Sequence, residues 1–238
     1  MATHALDQRN FLQRMRSFIP VAEAGGVPGP VMIAQAAIES NWGDSGLARL
    51  GSAYFGAKAR PGWTGPVYSG TTREWVSGHG YVTIAGTDRI YSSYDEAITN
   101  GCHPGALFRA YASAEDNIQD YVQFFHRNLR YQVALETYAL TRDPRQFARD
   151  LARAGYATSP TYAHTLVAFM EQYVADLLPA RAKPFTVMLN GLTMPPEAVL
   201  VVGGRVYVHV RRLANALGMT VQYDHQTKTV WLRKEGRR

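Results

Sequence analysis

Apolar and polar positions divide the chain into stretches of different period. Leu6, Phe11, Met15, Phe18 and Ile19 recur at helical spacing, and residues 5 to 50 read as helical. Within them, Ala24 to Gly43 is apolar on almost every face and carries one ionisable side chain, Glu39. Pro28 and Pro30 open this segment and Gly43 closes it, the pattern of a buried helix rather than a surface one. Residues 51 to 105 are rich in Gly, Tyr, Ser and Thr, with β-prone pieces such as Tyr81 to Ile84, and read as a small hairpin-and-loop lobe. Residues 106 to 178 return to helix, with Ile118, Tyr121, Val122, Phe125 and Leu129 on one apolar face. Asp143, Pro144 and Gln146 form a capping-box start, and Gly155 ends that helix. Ser159-Pro160 starts another, carrying Tyr162, Leu166, Phe169, Met170, Tyr173 and Leu177 inward. Helices, a β lobe, then helices again predict an α+β domain with a cleft between lobes.

Leu178 to Pro184 breaks the pattern and reads as a linker. Beyond it, Phe185 to Leu189 alternates as a strand. Val199 to Val202 and Arg205 to Val208 flank Gly203-Gly204 as a hairpin. Arg211 to Leu217 is a short helix stopped by Gly218, and Val221 to Tyr223 pairs with Thr229 to Leu232. The predicted division is residues 1–178, a linker at 179–184, and a small α+β unit at 185–238.

Composition narrows the partners. The 238 residues are 46% hydrophobic and 18% charged, which is globular rather than disordered. A net charge of +6 suits a polyanionic partner: nucleic acid, anionic lipid, or a wall carrying acidic polymers. No long basic run with interleaved aromatics is present, which disfavours nucleic acid. No stretch is long enough to span a bilayer, and the N-terminal residues lack the charged and apolar regions of a secretory signal. Synthesis as a soluble protein is therefore expected, with another device carrying it to any substrate outside the membrane. The single cysteine, Cys102, excludes an intrachain disulfide and reads as structural despite its neighbour His103. The histidines show no paired ligand spacing, so no metal or other cofactor is expected.

Glu39 is the candidate acid. A carboxylate at a helix C-terminus faces the negative pole of the dipole, and burial beside the Trp42 indole disfavours its charge further. Such a group keeps its proton near neutral pH, as a general acid for a glycosidic oxygen must. The alternative is a solvated glutamate at a frayed helix end. Candidates for a second carboxylate are Glu74, Asp88, Asp95 and Glu96. Glu74, next to Trp75 in a strand-like piece, leads by residue type. Asp95 and Glu96 fit the start of a short helix.

Ala34-Gln-Ala-Ala-Ile-Glu39-Ser-Asn-Trp42-Gly43 closely resembles the signature of the family 73 glycoside hydrolases, endo-β-N-acetylglucosaminidases of bacterial autolysins, flagellar rod-cap proteins and phage lysins. The resemblance runs through most of residues 8 to 177. Its further motifs are Tyr54-Phe-Gly-Ala-Lys58, Thr72-Arg-Glu74, Phe108-Arg-Ala-Tyr-Ala-Ser113, Asp120-Tyr121 and Ala154-Gly-Tyr156-Ala-Thr-Ser-Pro160-Thr-Tyr162. It implies a lysozyme-like fold in which Glu39 is the general acid, Tyr156 an active-site tyrosine, and Glu74 the second carboxylate of members that use one. Trp42, Tyr54, Trp75 and Tyr162 are implied sugar platforms, with packing as the alternative for each. Phe55 is at least as well explained by packing. The chain departs from the pattern at Ala53, where the family has asparagine, and at Ser159, where it has aspartate. A longer stretch from Gly78 to Gly105 reads as a lid, an added hairpin or a partner surface.

The tail is similar to the small copper amine oxidase N-terminal-like domain, through Val187 to Gly191, Gly203 to Val208, Arg211 to Gly218 and Val221 to Trp231. His209 and His225 alone make a poor copper site, so the implied role is wall targeting or self-association. Together the resemblances imply a peptidoglycan hydrolase acting on glycan strands of the cell wall. Anionic wall polymers and homo-oligomers are possible further partners. A phage endolysin released through a holin, or a bacterial autolysin, fits the expected synthesis. A lytic transglycosylase and a non-catalytic wall-binding protein are the alternatives.

Overall fold

A computed structural model of the chain describes residues 2–76, 79–157, 159–180, 188–189, 192–193, 199–202, 205–208, 210–224 and 229–234. The chain forms two compact units, Met1–Pro179 and Ala180–Arg238.

The first unit is built around one helix. Following α1 (Ala2–Arg16) and α2 (Ile19–Ala24), α3 (Gly29–Ser40) is buried at Gly29 through Ala37 and again at Ser40. Its small residues Ala34, Ala36 and Ala37 let neighbouring helices approach closely. Phe11 and Met15 of α1 pack on one side of the core; Ile118 and Phe125 of α6 (Ala114–Arg127) belong to the same core. Phe147 and Leu151 of α8 (Pro144–Arg153) and Leu166 and Met170 of α9 (Tyr162–Tyr173) complete it. Each such large side chain, fully buried, stabilises the fold by roughly 1.5–3 kcal/mol. Pro28, the N-cap of α3, offers no side-chain acceptor. Glu23 supplies one from α2: its Oε1 accepts the Gly29 N–H at 2.8 Å. Both Glu23 carboxylate oxygens also accept from Tyr138 Oη at 2.9 Å, which ties in α7 (Gln132–Thr141). A negative charge there favours the positive helix end.

The other end of α3 turns sharply. Asn41, Trp42 and Gly43 all have left-handed φ values, 51°, 59° and 81°. Trp42 N–H returns to Ala37 O at 2.8 Å, and Ser40 Oγ accepts from Gly43 N at 2.8 Å. A bulky aromatic in this region is strained. The Trp42 ring offsets that strain by packing on Tyr173, Phe169 and Phe11, with centroids 4.8, 5.1 and 6.0 Å away. The chain then enters α4 (Gly46–Gly51), capped by Ser45 Oγ.

The β lobe holds a three-stranded antiparallel sheet in the order β4-β1-β5, where β1 is Val67–Ser69, β4 Arg89–Tyr91 and β5 Leu107–Arg109. A separate hairpin pairs β2 (Thr72–Val76) with β3 (Gly80–Ile84). The long stretch after Gly78 is thus an added hairpin strand, then β4, then α5 (Tyr94–Thr99), which Ser93 caps. Asp95 and Glu96 lie in the first turn of α5, as their sequence context suggests. Cys102 is buried with Ala59, Val67, Ala97 and Leu107 in a small second core, and His103 accepts only a local bond from Gly105 N.

The structure corrects several expectations. Leu6 and Leu129 are 58% and 81% exposed. Helix α6 ends at Arg127, so Leu129 lies beyond the apolar stripe it extends in sequence. Asp143 caps α8 through Arg145 N, but Gln146 does not close the box. Its amide instead bonds Asp150 and Arg149, and Asp143 N–H bonds Thr141 Oγ1.

In the second unit, β6 (Met188–Leu189) pairs with β7 (Leu192–Thr193), and β8 (Val199–Val202) with β9 (Arg205–Val208). Helix α10 (Val210–Ala216) precedes Gly218 at φ +65°, and β10 (Met219–Asp224) pairs with β11 (Thr229–Lys234). Phe185 to Val187, His209 and His225 lie outside the described residues.

Gly43 separates backbone strain from packing. A Cβ there would stand 2.9 Å from the Arg14 guanidinium and 3.0 Å from the Phe11 ring, whereas at Gly155 (φ +71°) it would meet nothing within 4 Å. Gly155→Ala is expected to cost about 1 kcal/mol from strain alone. Gly43→Ala should cost about 2 kcal/mol or more, because overpacking adds to the strain. Urea denaturation of both variants checks the order; equal losses would remove the packing contribution.

Candidate active site

The last turn of α3 brings Glu39 to the edge of a cleft of about 490 Å³. The cleft lies between the helical core and the β lobe. Phe55, Lys58 and Arg60 come from the segment leading into the lobe, Arg109 from the end of β5, and Tyr121 and Phe124 from α6. Tyr156 reaches it from just beyond α8, where Gly155 turns the chain and Tyr156 N–H bonds Leu151 O at 3.0 Å.

Glu39 opens onto the cleft while protein walls flank it. Loss of solvent around the carboxyl raises its pKa above the ordinary glutamate value, which favours the protonated acid. Trp42, by contrast, is turned into the aromatic cluster with Phe11, Phe169 and Tyr173.

A buried amide organises the tyrosines around this acid. Gln35 is 1% exposed and lies four residues before Glu39, on the same helical face. Tyr121 Oη donates to Gln35 Oε1, while Gln35 Nε2 donates to Tyr162 Oη. Tyr162 stacks on Tyr156 at 5.4 Å with 22° between planes, and Tyr156 stacks in turn on Phe125 at 6.0 Å. Burial raises the Tyr156 pKa far above the ordinary phenol value, and nearby Tyr162 and Glu39 push the same way. Tyr156 is therefore a phenol donor at any physiological pH.

Glu74 has the opposite electrostatics. On β2, its Oε1 sits 2.6 Å from Lys58 Nζ and accepts from Thr72 Oγ1 at 3.2 Å. The Lys58 hydrogen bond, against a smaller effect of burial, holds its pKa below the ordinary value. Lys58 also donates to Gly105 O at 2.6 Å and lies 4.0 Å from the Phe108 ring centroid, so the pair is anchored to the sheet. Lys58 lines the cleft, whereas Glu74 is not among the described residues that line it.

A second charged network forms the far wall. Asp120 accepts from Arg109 Nη1 at 2.8 Å, Tyr111 Oη at 2.7 Å and Arg127 Nη2 at 2.7 Å. Burial pushes its pKa up, but Arg127, Tyr111 and Arg109 outweigh that and hold it below the ordinary value. Arg109 also lies over the Trp63 ring, 4.6 Å from its centroid.

Of the residues singled out in the sequence, Glu39 and Tyr156 line the cleft, and Tyr162 joins them through Gln35 and its stacking on Tyr156. Trp42 and Tyr54 are not among the described residues that line it. Tyr54 is 5% exposed, with its ring against Phe11 at 6.1 Å and its N–H on Asn117 Oδ1 at 2.9 Å. Ala53 is buried beside it. Trp75 lies on β2 opposite Tyr81, and its side chain is outside the described residues. Phe55, a candidate platform for which packing is at least as good an account, both lines the cleft and stacks on Tyr121 at 3.9 Å. The sequence alone points to no site role for Gln35 or Asp120 and places Tyr121 on an apolar helix face, although all three stand inside the motifs quoted above. Among the described residues, no group of three or more His, Cys, Asp or Glu side chains could hold a metal, and no helix is long and apolar enough to cross a membrane.

A mainly helical unit with a small β lobe, and an acid at the end of its central helix, is a lysozyme-like glycoside hydrolase fold. The glucosaminidase model, described as mannosyl-glycoprotein endo-beta-N-acetylglucosaminidase, matches residues 15–175, and the chain belongs to that family. The copper amine oxidase N-terminal domain model matches residues 187–238. The peptidoglycan hydrolase FlgJ of Salmonella typhimurium is 36% identical over 174 residues, 71% of this chain and 47% of that protein. The exo-glucosaminidase LytG of Bacillus subtilis is 30% identical over 61% of this chain and 44% of its own length. A probable N-acetylmuramidase of Lactococcus lactis is 31% identical over 65% of this chain and 31% of its own length. The chain thus spans about half or less of these curated relatives. The solved, C-terminally truncated glycoside hydrolase domain of Salmonella FlgJ is 32% identical, with a TM-score of 0.51 over 71% of this chain and 98% of that one.

Two measurements probe this geometry. Because folding raises the Glu39 pKa, the native state binds the extra proton, and stability falls as pH rises from the unfolded value through the folded one. Glu39→Gln is expected to match wild-type stability below the ordinary glutamate pKa and to exceed it at neutral pH in urea titrations; an unchanged difference at both pH values would remove the perturbation. Gln35→Met keeps the side-chain length but strands two buried phenols, at a cost of about 2–4 kcal/mol. Thermal unfolding reads that loss, and a neutral substitution would dismiss the hub.

Proposed function

We propose that the first unit hydrolyses the β-1,4 bond after N-acetylglucosamine in peptidoglycan glycan strands. The observation that carries this reading is Glu39 at the edge of the cleft with Tyr156, its proton favoured by burial, while Lys58 of the same cleft holds Glu74 of the β lobe in its charged form. Environments that push two carboxyl groups apart in pKa mark an acid and a base. In this reading Glu39 protonates the leaving oxygen. Glu74 activates water or stabilises the developing cation, once substrate competes with Lys58 for it. Tyr156 donates its phenol proton to the substrate N-acetyl carbonyl and orients it. Tyr162 and Phe55 offer aromatic faces to the sugar, with Trp75 on the β lobe as a further platform.

The named activities of the relatives support wall glycan as substrate, and they include both a glucosaminidase and a muramidase. The bond cut is therefore the point to establish. The second unit is proposed to hold the enzyme to anionic wall polymers or to a second copy. The chain's charge of +6 and the exposed Tyr207, Trp231 and Leu232 support a contact role there.

Digestion of purified Gram-positive peptidoglycan, with mass spectrometry of the new ends, tests the reading. Reducing N-acetylglucosamine ends are expected, whereas anhydro-muramyl ends would replace hydrolysis by transglycosylation. Binding to sacculi with no new ends would leave a wall-binding protein. Glu39→Gln should lower the rate by at least about 10³-fold, given the general-acid contribution and the loss of oxocarbenium support. Activity should also decline as pH rises past the elevated Glu39 pKa, since the acid must hold its proton. For Glu74→Ala, a loss of orders of magnitude is expected; a mild loss would assign the second role to the substrate's own N-acetyl group.

A further inference from the structure

The cleft carries five cationic side chains, Lys58, Arg60, Arg109, Arg127 and Arg130, against two carboxyl groups, Glu39 and Asp120. Three of the cations have carboxylate partners inside the protein. Lys58 is held by Glu74, and Arg109 and Arg127 share Asp120. Arg60 and Arg130 differ: among the described residues neither forms an ion pair, and both are exposed at the cleft. They come from opposite sides. Arg60 stands in the segment entering the β lobe, and Arg130 in the 3-10 turn Leu129–Tyr131 after α6. Arg130 lies over the Tyr131 ring, 4.6 Å from its centroid, and has no carboxylate partner among the described residues; a planar guanidinium suits bidentate binding of a carboxylate.

A cleft for an uncharged homopolymer of N-acetylglucosamine gains nothing from two unneutralised guanidinium groups. A strand that bears carboxylates supplies their missing partners. We propose that Arg60 and Arg130 bind carboxylates carried by the glycan strand, making the cleft selective for anionic over neutral polysaccharide. This rests on reading the cleft as a glycan groove. Two sources supply the same chemistry: the lactyl carboxylate of a muramic acid whose stem peptide has been removed, and the free carboxylates of an attached stem peptide.

The test measures binding by the full chain carrying Glu39→Gln, so that it does not depend on cleavage. The probes are amidase-stripped glycan strands, the same strands with lactyl carboxyls converted to methyl esters, strands with intact stem peptides, and chitin oligosaccharides of matched length. Carboxylate-bearing strands are expected to bind on the order of tenfold tighter than esterified strands or chitin, with the gap shrinking as salt rises. Adding Arg60→Gln and Arg130→Gln together should erase the gap. A preference seen on stripped strands assigns the lactyl group; one seen only with stem peptides present assigns the peptide. Equal affinity for esterified strands and for every carboxylate-bearing strand, stripped or carrying stem peptides, overturns the proposal, as does a preference that survives the double substitution or a failure to bind any strand. Absence of cleavage by the unsubstituted chain would count against the hydrolase reading alone.

Discussion

Burial of α3 on every side from Gly29 to Ala37 is the constraint from which the rest of the molecule follows. A helix segment with no solvent face has to be surrounded, and α1, α2, α8 and α9 do this with Phe11, Met15, Ala22, Phe147, Leu151, Leu166 and Met170. Such a helix can present a polar group to solvent only where it stops. Glu39 stands at that point. Its environment is therefore a by-product of core packing: Glu39 is exposed at the cleft edge, and neighbouring groups that cover α3 reduce the solvent around its carboxyl.

The electrostatic contrast across the cleft has the same origin. Around Glu39 the polar groups are neutral donors and acceptors, Gln35, Tyr121, Tyr156 and Tyr162, while Asp120 and Arg127 of α6 form a separate charged network along the same wall. On the side of the β lobe, strands and loops leave room for hydrated ions, and there the glutamate is held by a lysine. A carboxyl whose proton is favoured and one whose charge is favoured thus reflect a setting of neutral partners and a setting with a lysine.

The central helix and its acid were legible in the sequence because a long apolar tract interrupted by a single glutamate can fold stably only if the tract is buried and the glutamate reaches its end. The family motifs extended that reading to Tyr156 and the β lobe. What stayed hidden depends on direction in space. Trp42 and Tyr54 look like sugar platforms by type, yet the left-handed turn aims one into the core, and Asn117 draws the backbone of the other inward. Phe55, the next residue along, points the other way. Leu129 continues the period of α6 but follows its last turn, a distinction that spacing cannot make. The pairing of Arg109 and Arg127 with Asp120, and so the identity of the two arginines left over, emerges only once the chain has folded.

The carboxylate of Glu23 lies at the root of α3, a full helix length of about 18 Å from the cleft. It fastens that root to α2 and, through Tyr138, to α7. A rod gripped at its base transmits any tilt to its tip. The aim of the Glu39 side chain is therefore decided partly by a residue that never meets a sugar, and surveys of inactivating substitutions would find a second hot region on the far side of the molecule, with no ligand there to account for it.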